Sequence, residues 1–169
     1  MLPIVLDMKG VRIGVAGAGD GLRRRLDLVA KAGPEPAMVF DGRQPSKDEL
    51  ASLRILFVAG LSAADSKSLA LEARKAGVLV NVEDQPALCD FHVPAQVRRG
   101  DLLITISTGG RSPALASALR ELLEEQFGPE WDARLDQLAE LRAAWRNEGA
   151  PPDEVSKRTR AYLKGQDWL

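Results

Sequence analysis

The stretch Val11-Arg-Ile-Gly-Val-Ala16-Gly17-Ala18-Gly19-Asp20-Gly21 decides the fold. Val11 to Ala16 is an apolar run of strand length, and it breaks into the glycine-rich turn Gly17-Ala18-Gly19-Asp20-Gly21. Behind the turn, Leu22, Leu26, Val29 and Ala30 share one face of a helix that Gly33 ends, with Arg23, Arg24 and Arg25 largely off that face. A strand, a tight glycine turn and a helix together bring backbone N–H groups to a pyrophosphate in a dinucleotide fold. The third position of the Gly-x-Gly-x-x-Gly fingerprint is Leu22, which is expected to hinder close packing of helix on strand. Asp41 ends the next strand about twenty residues on, where an acid takes the ribose hydroxyls of NAD and repels a ribose phosphate. The competing reading is a tight structural turn, and Arg23 to Arg25 serve either a phosphate or a solvated helix face.

Working outward, strand and helix alternate. Ala37 to Phe40 reads as a strand, Ser46 to Leu53 as a short helix, Arg54 to Ala59 as a strand, Asp65 to Ala76 as a helix, and Val78 to Val82 as a strand. Near-continuous apolar strands in that alternation predict an α/β fold with a parallel sheet covered on both faces. The pattern changes after Asp84. Phe91 to Val97 is expected to be extended, Arg99-Gly100-Asp101 to turn, and Leu102 to Ser107 to return antiparallel, since so tight a connection excludes a parallel pair. Helices are expected over Ala114 to Phe127, Trp131 to Asn147 and Asp153 to Leu163. Trp131, Leu135, Leu138, Leu141 and Trp145 fall at helical spacing, which predicts core or subunit packing, with a cofactor or partner groove as the alternative.

Composition narrows the function classes. The 169 residues are 45% hydrophobic and 28% charged, enough for a folded core. With 23 Lys plus Arg against 24 Asp plus Glu, the net charge is -1, which argues against generic nucleic-acid binding. A single cysteine, Cys89, and a single histidine, His92, exclude a disulfide framework and a Cys/His zinc site within one chain, so no metal ligands are assigned. No run is long and apolar enough for a membrane span, and the N-terminus lacks the features of a signal peptide, so a cytoplasmic protein is expected.

Two further constellations carry chemistry. Ser107-Thr108-Gly109-Gly110-Arg111-Ser112-Pro113 combines a Gly-Gly turn, a cation and a Ser-Pro helix start, which reads equally as an anion cradle or as a well-capped helix. Asn81, Glu83 and Asp84 close the fourth strand at its carboxyl end, where parallel sheets place their sites and an acid can serve as general base. A solvated acidic turn is the bland alternative. Cys89 and His92 alone make no closed metal site, and Cys89 reads as a small buried apolar residue.

Asn81 to Pro94, Val97-Arg-Arg-Gly-Asp101, Ile106-Ser-Thr-Gly-Gly-Arg-Ser-Pro-Ala114 and Leu6-Asp-Met-Lys-Gly10 together resemble the precorrin-2 dehydrogenase/sirohydrochlorin ferrochelatase family, the N-terminal module of siroheme synthase that also occurs as a stand-alone protein. The resemblance covers nearly the whole chain. It implies a Rossmann-like NAD-binding domain (residues 1–84), a dimerisation segment (85–113) and a C-terminal helical domain (114–169), assembled as a homodimer. The implied activity is NAD-dependent oxidation of precorrin-2 to sirohydrochlorin, with insertion of ferrous iron in many members. The implied catalytic base is Asp84. Implied NAD contacts are Gly17, Gly19, Asp20 and Gly21 in the turn, Asp41 and Gly42, and Ala59, Gly60, Leu61 and Ser62. The substrate-side set is Asn81, His92, Ser107, Thr108, Gly109, Gly110, Arg111 and Ser112. Arg98, Arg99 and Arg120 are further candidates for substrate carboxylates, and Thr108 falls where some relatives carry a phosphorylatable serine.

Three departures from the family pattern matter. Gly21-Leu22 stands where relatives have Val-Ala, although the basic pair persists as Arg24-Arg25. Ala59-Gly60-Leu61-Ser62 replaces the usual Ala-Ala-Thr-Asp or Asn. A strand and a helix that relatives carry between Asp41 and Ile55 are missing. In the order 3-2-1-4-5-6 the third strand is an edge, so the sheet is expected to narrow with its core intact, and the loss falls on the adenosine side of the pocket. The alternatives to the dehydrogenase are a tetrapyrrole chelatase or carrier without redox activity, and a non-catalytic dinucleotide-sensing dimer.

Overall fold

The computed structural model describes residues 2–33, 38–166 and 168, and it divides into two compact units, residues 1–93 and 94–169. In the first, β1 (Ile13–Gly17), α1 (Gly19–Ala32), β2 (Met38–Asp41), α2 (Lys47–Ser52), β3 (Ile55–Ala59), α3 (Ala63–Lys75) and β4 (Leu79–Val82) follow in turn. The expected start of the second strand, Ala37, lies outside the described residues.

The four strands form one parallel sheet in the order β2-β1-β3-β4. This is the narrowed sheet expected from the missing segment: β2 is the edge, and the chain returns through the single short helix α2. Each face is sealed by side chains of alternate strand residues. Ile13, Val15, Ile55 and Phe57 pack with Leu22 and Val29 of α1, while Ala16, Phe40, Leu56, Val58, Val80 and Val82 pack with Leu50 and Leu69 from α2 and α3. Phe40, Leu53 and Leu56 are wholly buried, each worth about 1.5–3 kcal/mol relative to exposure.

The outer edge of β4 is closed by a side chain. Asp90 donates its N–H to the Val80 carbonyl at 2.8 Å, and its carboxylate accepts the Val80 N–H at 2.9 Å. Arg74 of α3 holds the other carboxylate oxygen at 2.9 Å and reaches the Leu88 carbonyl. An edge strand presents unpaired backbone groups that invite pairing with another chain, and here a loop residue occupies them.

In the second unit, β5 (Ala95–Arg99) and β6 (Leu102–Ile106) form an antiparallel hairpin, followed by α4 (Pro113–Gln126), α5 (Trp131–Asn147) and α6 (Pro152–Gly165). Residues 91–94, read as the start of an extended stretch, are loop, and the Phe91 carbonyl accepts from the Asn81 side chain of β4 in place of a strand partner. Trp131 is buried against Phe127, while Leu135, Leu138, Leu141 and Trp145 are half-buried, so the predicted stripe forms a partly covered face within the single chain. α4 buries no residue, and Leu115 and Leu122 on it are more than half exposed.

Arg99 explains how α4 ends. Its guanidinium donates to the Phe127 carbonyl at 2.8 Å and to the Glu124 carbonyl at 3.2 Å, satisfying acceptors that a helix C-terminus leaves open. Arg99→Ala is expected to destabilise the protein by about 1.5–3 kcal/mol, the scale of charged hydrogen bonds, measured as a lower midpoint in urea at unchanged slope.

Candidate functional site

The glycine turn and the loop after β3 approach so closely that side chains have no room between them. The Ala18 N–H donates to the Ala59 carbonyl at 3.2 Å. A side-chain carbon at Gly17 would overlap the Ala59 carbonyl oxygen, and one at Gly60, whose φ is +69°, would overlap the Ala18 carbonyl oxygen. At Gly21 it would lie 2.8 Å from the Gly60 nitrogen and 2.9 Å from Glu83 Oε2. The close-packing glycine is therefore Gly21, one residue before the fingerprint position. Leu22, expected to obstruct the packing of α1, is instead buried in the core on that side of the sheet.

Beyond the turn the site is open. α1 has an extended N-cap residue, Ala18, with no side-chain cap, so first-turn N–H groups face outward at the positive end of the helix. Nothing lies within 4 Å of where a side chain at Gly19 would project. Asp41 pairs in register with Gly17, is exposed, and is followed by Gly42, whose N–H donates to the Gly17 carbonyl at 2.9 Å. Uncapped N–H groups beside open space, with a carboxylate one strand away, fit the pyrophosphate and ribose of a dinucleotide. Of the loop after β3, Ala59 and Gly60 pack on the turn, Leu61 is half-buried, and Ser62 caps α3 by accepting the Asp65 N–H at 3.1 Å.

The three arginines after the turn are engaged within the protein. Arg23 pairs with Asp20 at 3.1 Å on the surface. Arg24 donates to both carboxylate oxygens of Glu83, at 3.3 and 3.1 Å, which raises its pKa through the hydrogen bond first and charge second. Arg25 lies over the Phe57 ring with its Nε 3.9 Å from Glu83. Glu83 thus braces α1 from beneath, with Arg24 hydrogen-bonded to it and Arg25 paired with it by charge.

Asp84 follows immediately. It is the single non-glycine residue with positive φ, +57°, among the described residues. It is exposed at the carboxyl end of β4, and among the described residues its carboxylate makes no hydrogen bond. An aspartate tolerates this left-handed conformation better than most residues, and such backbone clusters at functional positions. The loop behind it is fixed from three directions. Asn81, 5% exposed, donates to the Phe91 carbonyl at 2.9 Å. Cys89 Sγ donates to the Val82 carbonyl and accepts the Val82 N–H, both at 3.2 Å, and Asp90 holds Val80. Asn81, assigned to the substrate, is buried behind the loop that carries Asp84 and supports it through Nδ2, while its Oδ1 has no partner among the described residues. Cys89, read as a plain apolar residue, is a half-buried hydrogen-bonding one. His92 is exposed on the same loop.

In the second unit, the Ser107–Ser112 turn is largely self-satisfied. Thr108 Oγ1 donates to the Ser112 carbonyl and accepts the Ser112 N–H, at 3.1 and 3.2 Å. The Gly109 N–H goes to Ser107 Oγ, the Arg111 N–H to the Thr108 carbonyl, and Ser112 Oγ caps α4 through the Leu115 N–H. Of the cradle expected from Gly-Gly-Arg, the Gly110 N–H and the exposed Arg111 side chain remain without a partner among the described residues. Arg99 is committed to α4, and Arg120 pairs with Glu124 at 2.7 Å and with Glu121, which leaves Arg98 and Arg111 as the exposed cations here.

Reading along the sequence missed the pairing of Arg43 with Glu49. Arg43 donates to the two Glu49 oxygens at 3.0 and 2.8 Å, and the Ser46 N–H donates to Glu49 at 2.7 Å. These bonds, Arg43 first and Ser46 second, hold the Glu49 carboxyl far below its ordinary value, at about 2. The Ser46-x-x-Glu49 spacing of a capping box was the available signal.

Known proteins resemble this chain over most of its length. Residues 4–95 match a family described as "Putative NAD(P)-binding", and residues 99–126 match one described as "Sirohaem biosynthesis protein central". Siroheme synthase 1 of Serratia proteamaculans is 31% identical over 165 residues, covering 87% of this chain and 34% of its own length. Siroheme synthase of Methylococcus capsulatus is 30% identical over 175 residues, covering 93% and 36%. The chain thus spans about a third of the length of the curated relatives it matches. A solved structure titled "SirC, precorrin-2 dehydrogenase" shares the fold with a TM-score of 0.76 at 21% identity, over 100% of this chain and 92% of that one. More than half of this chain lies within the first family match, and the chain belongs to that NAD(P)-binding family, with the sirohaem-biosynthesis central segment joined to it.

Proposed function

We propose that this protein is an NAD-dependent dehydrogenase that oxidises precorrin-2 to sirohydrochlorin in siroheme biosynthesis, acting as a cytoplasmic homodimer. The observation that carries the reading is Asp84, a solvent-facing carboxylate in left-handed backbone at the same carboxyl edge of the sheet as the open glycine turn. The family match and the siroheme synthase relatives support it.

Dehydrogenation removes a hydride and a proton from the substrate: the hydride carries two electrons away, and the pair left behind by the departing proton forms the new double bond that extends the conjugation of the macrocycle. When bound, NAD supplies the hydride acceptor. The first-turn N–H groups of α1 would hold its pyrophosphate, and Asp41 would accept from the ribose hydroxyls. Asp84 takes the proton, a role open to a carboxylate within reach of the substrate. Arg98, Arg111 and the Gly110 N–H offer charge-assisted contacts for the substrate's carboxylates. In the chelatase reading ferrous iron enters as a substrate, and the same carboxylate takes the two protons that leave the macrocycle one at a time, passing the first to solvent.

The homodimer rests on α4, which buries nothing in the single chain while exposing Leu115 and Leu122. No helix among the described residues is long and apolar enough to cross a membrane.

The cofactor half is tested by titrating the protein with NAD. Saturable binding is expected, weakened about ten- to a hundredfold in Asp41→Ala through loss of charged hydrogen bonds. Absence of saturable binding would overturn the reading.

A further inference from the structure

The chain after β2 holds an ordered guanidinium plane that neither the glycine turn nor Asp84 requires. Arg43 lies two residues beyond Asp41, with its guanidinium carbon 4.8 Å from the centre of the Phe40 ring. Phe40 is wholly buried beneath it. One edge of the guanidinium is locked by the two bonds to Glu49, and Nη1 also reaches the Gln44 carbonyl at 3.4 Å. The Arg43 side chain nevertheless remains 53% exposed, so the face turned away from Phe40 meets solvent.

Its position ties this plane to the nucleotide site. Gly42 bonds to the Gly17 carbonyl, which fixes the segment against the glycine turn, and Asp41 lies beside it at the end of the edge strand. A planar guanidinium stacks on aromatic faces as an ammonium cannot, and adenine is such a face. Bidentate pairing also neutralises Arg43. A phosphate on the 2′ oxygen of the ribose would meet the carboxylate of Asp41, which has no partner among the described residues, and an arginine whose charge Glu49 already balances.

We propose that Arg43 is the platform on which the adenine of the dinucleotide stacks, and that Glu49, by holding and neutralising it, sets preference for NAD over NADP. This rests on the dinucleotide reading of the glycine turn.

The experiment compares dissociation constants of NAD, ADP-ribose, nicotinamide mononucleotide and NADP for the unaltered protein, Arg43→Ala, Arg43→Lys and Glu49→Gln, with thermal unfolding of each. Arg43→Ala is expected to weaken NAD and ADP-ribose about tenfold and to leave the mononucleotide unchanged. Arg43→Lys keeps the charge but not the plane and should not restore binding. Glu49→Gln should shift the NADP-to-NAD ratio toward NADP by about fivefold, the scale of one surface charge pair. NAD and ADP-ribose constants unmoved in Arg43→Ala would overturn the proposal. So would an equal loss for the mononucleotide, which would make Arg43 only a brace of the turn. Failure of the unaltered protein to bind NAD or ADP-ribose would instead remove the dinucleotide reading itself, and this inference with it.

Discussion

Asp84→Asn is expected to lower NAD-dependent oxidation of precorrin-2 by about 10²- to 10⁴-fold, the usual contribution of a positioned general base, with NAD affinity unchanged. Asparagine is the informative replacement because it accepts the left-handed backbone at φ +57° as readily as aspartate and removes only the charge. Alanine would add backbone strain to the loss of the carboxylate and confuse the two. A loss in kcat with KM held identifies a group that acts in the transition state. Unchanged turnover in Asp84→Asn would move the base elsewhere, and Glu83, pinned by Arg24 and Arg25, is poorly placed to replace it.

The second large effect is structural. Gly60→Ala places a methyl group onto the Ala18 carbonyl and forces alanine to φ +69°. Left-handed backbone alone costs about 1–2 kcal/mol, and the clash adds to it, giving about 3 kcal/mol in all. In a unit of this size that lowers Tm by about 10–20 °C. Gly77→Ala separates the two contributions, since Gly77 has φ +76° with nothing within 4 Å of its absent side chain. Its Tm should fall only about a third to two thirds as far. Equal losses at the two positions would show that the loops are not in the close approach described.

How much of this was legible along the chain depended on whether the cause was local. The first unit was legible because each element announces itself: apolar runs for β1, β3 and β4, the turn at Gly17 to Gly21, and Gly33 after α1. The narrowed sheet was legible because an edge strand can be lost without disturbing the strands between. The Gly-x-Gly-x-x-Gly spacing misled at Leu22, since it assigns close packing by position, whereas the approach is made by whichever residue faces the neighbouring loop, here Gly21. Pairings across long separations were not legible at all. Arg24 with Glu83 spans 59 residues, and Arg99 with Phe127 spans 28, and nothing in either segment names its partner. The Ser107–Ser112 turn shows a third limit. Its donors were visible in the sequence, but not that Thr108 and Ser112 satisfy one another. A hydrogen-bonding group is available to a ligand only after the local pairings have been made.

The most direct test is anaerobic incubation of the protein with precorrin-2 and NAD, counting sirohydrochlorin and NADH in the same sample. Equal amounts of the two, with no sirohydrochlorin formed when NAD is withheld, are predicted. Substrate left unconverted in the presence of NAD, or sirohydrochlorin formed without matching NADH, would contradict an NAD-dependent dehydrogenase and leave the chelatase or carrier as the reading to pursue.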